Sequence, residues 1–303
     1  PRSLNLAALE NRSRGTHDPT VSERRVFFPA TASVASVAGF ELMGVLNVTP
    51  DSFSDGGAWL DADAAVAHGL AMAEAGATIV DVGGESTRPG AEAVGEAEEL
   101  RRVVPVVEAL ARAGGPTVSI DTTKLAVAEQ AVAAGAGYVN DVSAFRSSPE
   151  IADLVAGTSV RCCLMHMRGE PRTMQNDPVY DDVVDEVKAF LSERVEFAVS
   201  RGIDPLLIDV DPGIGFGKTA AHSAELLRRL DEIAALGFRV LVGVSRKSFI
   251  GSIGGAADAG DRLPGTIAAN VLAYAKGARA FRVHDVAEHV QALRIAATVT
   301  RDG

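Results

Sequence analysis

Apolar runs of four to seven residues recur along the chain at 42–48 (LMGVLNV), 77–83 (ATIVDVG), 117–121 (TVSID) and 138–141 (YVND). They continue at 161–166 (RCCLMH), 206–210 (LLIDV), 240–245 (VLVGVS) and 279–284 (RAFRVH). Between them, Ala-rich segments at 61–75, 95–113, 124–134, 181–201, 221–236 and 265–276 space their apolar residues as helices do, and a last helix is expected at 286–298. Continuous apolar strands alternating with helices predict a parallel sheet buried on both faces. Eight such units match the α/β class and the count and size of a (β/α)8 TIM barrel. A doubly wound open sheet is the competing arrangement. The repetition is architectural only, and a single barrel domain is expected over residues 39–303.

Residues 1–38 read differently. The first 25 carry Arg2, Arg12, Arg14, Arg24 and Arg25 among small polar residues, with no periodicity. They are expected to form a partly disordered extension. Short strand pieces at 26–30 and 32–37 point to a hairpin at one end of the barrel.

Each apolar run ends in a residue that can bind or ionise: Asn47, the stretch GGESTRPG (83–90), Asp121, Asn140 and Asp141, His166, Asp211, the triplet Ser245–Arg246–Lys247, and Arg282 with His284. One Asp at a strand end is ordinarily a turn or helix-cap residue. Eight polar ends in a barrel converge on one rim, where the loops after the strands build the active site. Two chemistries separate within this set. Asp121, Asn140 and Asp211 suit the N–H edge of a 2-amino-4-oxo pyrimidine, because a carboxylate accepts two such bonds and an amide both donates and accepts. Arg88, Lys247, Arg282 and His284 suit an anion, with guanidinium forks matched to phosphate.

The overall charge sharpens the second point. The chain of 303 residues carries a net charge of −11, which disfavours a nucleic-acid or anionic-membrane partner. A cationic rim on such a protein calls for an anionic substrate. No apolar run approaches the roughly 20 residues that span a bilayer. The two cysteines, Cys162 and Cys163, are neighbours on one predicted strand and point to opposite faces, so a disulfide is not expected. With no disulfide framework and no signal-peptide pattern, a cytoplasmic location is expected.

The stretch DPGIGFGKT (211–219) looks like a phosphate cradle but fits neither nucleotide motif. A Walker A loop ending at Gly217 and Lys218 needs a glycine where Pro212 stands, and a dinucleotide fingerprint needs one where Lys218 stands. Its glycines are expected instead to let the backbone lie close to a flat heterocycle, with Lys218 structural.

In order along the chain, MGVLNVTPDSFSDGG (43–57), DVGGESTRPGA (81–91), SIDTTK (119–124), NDVS (140–143), CLMHMRGEPRTMQ (163–175), DPGIGFGKT, SRKSFIG (245–251) and RVHDV (282–286) resemble the dihydropteroate synthase family of pterin-binding enzymes. The resemblance implies a reaction: a dihydropterin-6-ylmethyl diphosphate condenses with 4-aminobenzoate to give 7,8-dihydropteroate and pyrophosphate, with Mg2+ as cofactor. It also implies roles. Asp121, Asn140, Met165, Asp211, Phe216 and Lys247 would bind the pterin. Asn47, Arg282 and His284 would bind the diphosphate, and Asn47 its metal. Phe53, Thr87, Arg88, Pro89 and Ser245 would frame the aminobenzoate, with the 49–57 loop as a lid. Lys247, Arg282, His284 and Asp121 would carry catalysis, in an enzyme that is usually a homodimer. The stretch SAFRSSP (143–149) departs from the family's usual Ser-Gly-Gly or Ser-Ala-Leu continuation. A methylfolate-binding methyltransferase barrel is disfavoured by the cations at 245–247 and 282–284. A non-catalytic relative is disfavoured by the presence together of Asn47, Asp121, Lys247 and Arg282.

Overall fold

The computed structural model describes residues 39–49, 58–86, 93–170 and 172–300. The candidate strands at 26–30 and 32–37 lie outside these residues, as does most of the 49–57 loop. Among the described residues, eight parallel strands close into a barrel in sequence order: β1 Glu41–Asn47, β2 Ile79–Gly83, β3 Thr117–Asp121, β4 Tyr138–Asp141, β5 Arg161–Met165, β6 Ile208–Asp211, β7 Arg239–Val242 and β8 Ala278–Val283. β8 pairs with β1, so the sheet has no free edge. The expected barrel is therefore present, and the open sheet is excluded.

The apolar runs form strands because both of their faces are covered. Residues pointing outward, such as Leu42, Leu46, Val80, Val118, Val139, Cys162 and Val210, pack under the helices in one continuous core. Inward-pointing residues Met43, Ile79, Tyr138, Cys163, Leu241 and Ala280 fill the lumen as a separate cluster. Cys162 and Cys163 thus fall on opposite faces, as strand alternation requires, and both are free thiols.

The helices differ from expectation in three places. A helix at Ile151–Thr158 follows β4 and another at Ser248–Gly254 follows β7, both too short to show a clear period in the sequence. The segment expected as one helix over 221–236 is two, Ala220–Arg228 and Leu230–Ala234, because Arg229 leaves helical geometry at φ −111°, ψ 28°. Local sequence starts some helices sharply. Asp182 accepts from the amides of Val184 (2.9 Å) and Asp185 (3.0 Å), and Thr219 forms a capping box with His222.

The end of the barrel away from the strand C-termini is sealed by ions. Glu41, Arg161, Asp209 and Arg239 form one network, with Arg161 to Glu41 at 2.9 Å, Arg161 to Asp209 at 3.0 Å and Arg239 to Asp209 at 2.8 Å. Tyr138 donates to Asp209 at 2.6 Å. Two cations against two carboxylates leave this plug neutral, and the charge that remains for chemistry lies at the opposite rim.

Candidate active site

Strand register sets the site. Asn47 pairs with Gly83, Gly83 with Asp121 and Asp121 with Asn140, while Met165 pairs with Asp211. Because side chains alternate faces, every second residue points inward, and these strand ends aim into the mouth of the barrel. There a cavity of about 510 Å3 is lined by Asn47, Asp121, Asn140, Met165, Asp211, Phe216, Ser245, Lys247, Arg282 and His284. All the described residues named from the sequence as site residues therefore meet in one place. Phe53, Thr87, Arg88 and Pro89 lie outside the described residues.

One wall holds the heterocycle candidates. Asp211 accepts from the backbone amide of Gly213 at 2.6 Å, and burial raises its carboxyl above the usual range while Lys247 opposes the shift. The Lys247 ammonium donates to the Ile214 carbonyl and stands 4.3 Å from the centre of the Phe216 ring. Burial lowers it to about 8, against the pull of Asp211. Met165 packs with Val142, Met167 and Met174, and Phe216 rests on that cluster. Flat apolar surface beside a buried acceptor and a cation is what a planar heterocycle with an N–H edge and a carbonyl requires.

The other wall is organised by Asp81, which the sequence reading passed over. It is fully buried on β2. It accepts from Ser119 Oγ at 2.5 Å, from Asn140 Nδ2 at 3.0 Å and from Arg282 Nε at 2.6 Å. Arg282 Nη2 donates onward to Asp121 at 2.8 Å. Arg282 is held well above its ordinary pKa by these carboxylates although burial opposes it. Burial raises the Asp121 carboxyl, and Arg282 counteracts that rise. The signal for Asp81 was available: it opens the stretch DVGGESTRPGA at an inward position, where a charged residue must have partners. His284 Nδ1 lies 2.9 Å from Ser245 Oγ, which also accepts from the His284 amide at 3.2 Å.

Two of the three glycines of 211–219 serve a different purpose from the one expected. Gly213 has φ +63°, and a Cβ there would stand 2.9 Å from the carbonyl carbon of His166 and closer still to its oxygen. At Gly217, φ +62°, a Cβ would come within 3.1 Å of the Arg168 carbonyl carbon, again nearer to the oxygen. Both glycines make room for the loop after β5. Only Gly215 lines the cavity. Lys218 is buried and donates to His166 Nδ1 at 2.8 Å and to the Phe216 carbonyl at 3.0 Å. Burial pushes His166 down to about 2, so its neutral ring accepts from the lysine. The pair ties the β5 and β6 loops together behind the cavity.

The pterin binding enzyme family matches residues 43–284. The chain belongs to this family. A dihydropteroate synthase of Mycobacterium leprae is 49% identical over 266 residues, covering 86% of this chain and 93% of that protein. One from Synechocystis is 46% identical over 260 residues, covering 86% and 90%. Among solved structures, Xanthomonas albilineans dihydropteroate synthase with 4-aminobenzoic acid is 49% identical, with a TM-score of 0.81 over 87% of this chain and 94% of that one. The barrel is therefore that of a dihydropteroate synthase-type transferase.

The Mg2+ that the resemblance implies would find few donors here. Among the described residues, no group of three or more His, Cys, Asp or Glu side chains could hold an ion. Asn47 offers one neutral oxygen at the cavity wall, too little to bind Mg2+ alone. Such a lining would fit only an ion carried mainly by substrate phosphates, which is how Mg2+ is commonly bound. Among the described residues no helix is long and apolar enough to cross a membrane.

Proposed function

We propose that this barrel joins (7,8-dihydropterin-6-yl)methyl diphosphate to 4-aminobenzoate, forming 7,8-dihydropteroate and pyrophosphate, with the roles divided among the residues that line the cavity. The observation that carries the assignment of roles is the meeting, in one cavity, of acid and amide groups (Asp211, Asp121, Asn140) with cationic and imidazole groups (Lys247, Arg282, His284). Asp211, Asn140 and Asp121 read the pterin's N–H edge. Met165 and Phe216 take its faces, and Lys247 donates to its acceptor atoms. Arg282 and His284 take the diphosphate.

In the reaction the bond between the pterin methylene carbon and the diphosphate oxygen breaks. A bond from that carbon to the arylamine nitrogen forms, and the nitrogen gives up a proton. Negative charge grows on the departing pyrophosphate, so preorganised cations lower the barrier without any covalent nucleophile. Mg2+, held by Asn47 and the phosphates, would add to that neutralisation. Ser245 stands beside His284 and is assigned to the aminobenzoate side with Phe53, Thr87, Arg88 and Pro89. The Xanthomonas structures with 4-aminobenzoic acid and with 7,8-dihydropteroate support this substrate pair.

We also read the chain as a cytoplasmic homodimer. Exposed Leu272, Ile295 and Val299 on the helices Leu263–Ala275 and Val286–Val299 support a self-association face, tested by sedimentation. Cell fractionation tests the location. Pyrophosphate release measured with both substrates and Mg2+, and with each omitted in turn, tests the reaction. Release that does not depend on the arylamine, or no release, counts against it.

A further inference from the structure

The two walls of the cavity share one carboxylate. Arg282 is held on both sides, by Asp81 through Nε at 2.6 Å and by Asp121 through Nη2 at 2.8 Å. The two acceptors are unlike. Asp81 is fully buried and already accepts from Ser119 and Asn140, so it is a fixed pivot. Asp121 lines the cavity, where a ligand can reach it. A pterin N–H group that engages Asp121 competes with Arg282 for the same carboxylate, of which Arg282 holds Oδ2.

We infer that Asp121 changes partner when the heterocycle binds: in the empty cavity it restrains Arg282, and once a pterin occupies it the guanidinium turns about Asp81 and offers Nη2 to the diphosphate. This rests on the pterin and diphosphate assignments proposed above. The consequence is coupling. Whatever binds the heterocycle wall raises the affinity of the cationic corner for an anion, and by reciprocity the anion raises pterin affinity equally. The arrangement favours capture of the intact substrate, which presents both parts at once, over stray pyrophosphate.

Calorimetry on the full chain tests this, with pyrophosphate as the probe and Mg2+ held constant. Pyrophosphate affinity should rise about tenfold when a pterin lacking the diphosphate is present at saturation. Asp121→Asn should bind pyrophosphate about threefold or more tighter than the parent without any pterin, and should lose most of the enhancement that pterin gives. Asp211→Asn removes the same formal charge from a carboxylate to which Arg282 makes no hydrogen bond, and should tighten pyrophosphate much less than Asp121→Asn does. Equal tightening in both variants would reduce the effect to net charge and overturn the partner exchange. Independent binding of the two ligands to the parent would overturn it without any variant, which covers the case of a variant that fails to fold. In that outcome pterin and pyrophosphate still bind, so the proposed function survives. A parent that binds neither loses both readings.

Discussion

Gly213→Ala tests whether the loop that presents Asp211 is shaped by protein packing. Two costs can be separated. An L-residue at φ +63° costs roughly 1–2 kcal/mol from backbone sterics alone. The new methyl also meets the His166 carbonyl, which is backbone and cannot swing aside as a side chain would. That carbonyl belongs to a residue whose own amide donates to the Asp211 carbonyl at 2.9 Å, so relief must move the β5 and β6 ends apart. Overpacking of this kind adds roughly 1–3 kcal/mol, for a total near 2–5 kcal/mol. At roughly 2–4 °C per kcal/mol for a domain of this size, the melting temperature should fall by about 4–20 °C. Asp211 also depends on the Gly213 amide at 2.6 Å, and a displacement near 1 Å should cost about 100-fold in kcat/KM for the pterin substrate. Gly255→Ala is the matched control. Its φ is +76° with nothing within 4 Å of the added methyl, so only the backbone cost of roughly 1–2 kcal/mol applies. Differential scanning fluorimetry and steady-state kinetics on the two variants decide the matter. Equal melting points for both, with pterin kinetics unchanged in Gly213→Ala, would refute the packing argument.

Three further outcomes follow from the same geometry. Arg282→Ala should lower kcat by about 10²–10³, or roughly 2–4 kcal/mol of barrier, while Ser245→Ala acts mainly on the aminobenzoate KM; steady-state kinetics with each substrate varied would expose reversed assignments. Lys247 is held at about 8, below its ordinary value of 10.5, so the folded state binds fewer protons there than the unfolded chain between those two pH values. This group's contribution to stability therefore rises with pH across that window, whereas pterin affinity should fall as pH climbs through about 8, and Lys247→Met should remove that part of the fall in a binding titration. Asp141 accepts from the amides of Ser143 (2.7 Å) and Phe145 (2.8 Å), holding Ala144 and Phe145 at positive φ in the stretch SAFRSSP. Asp141→Ala should cost roughly 2–4 kcal/mol in urea unfolding, since two buried amides lose their acceptor.

Much of the site was legible because strand alternation is local. A residue that ends a buried parallel strand must point to one face or the other, and the chain's apolar runs marked where each of the eight strands stops. Asp121, Asn140, Asp211 and Arg282 could be placed on one rim from that periodicity alone, and the ordered motifs named their chemistry. The two short helices at Ile151–Thr158 and Ser248–Gly254 were not legible, because each spans about two turns, too few to show a period. The kink at Arg229 was hidden too, since no proline or glycine marks it.

What only the folded chain decided concerns partners. Asp81 and Arg282 lie 201 positions apart, and the closure of β8 onto β1 brings them within hydrogen-bonding distance. The same closure gathers Glu41, Arg161, Asp209 and Arg239 into a neutral plug that no local pattern announces. Glycines at 213 and 217 were readable as sites of close approach, but what approaches them is the β5 loop, which is a fact of packing between distant segments. Sequence periodicity reports which face a side chain must take, since that depends on neighbours two to four residues away. Which groups then share a proton, a charge or a carbonyl depends on barrel register, and register is set by the whole sheet closing at once.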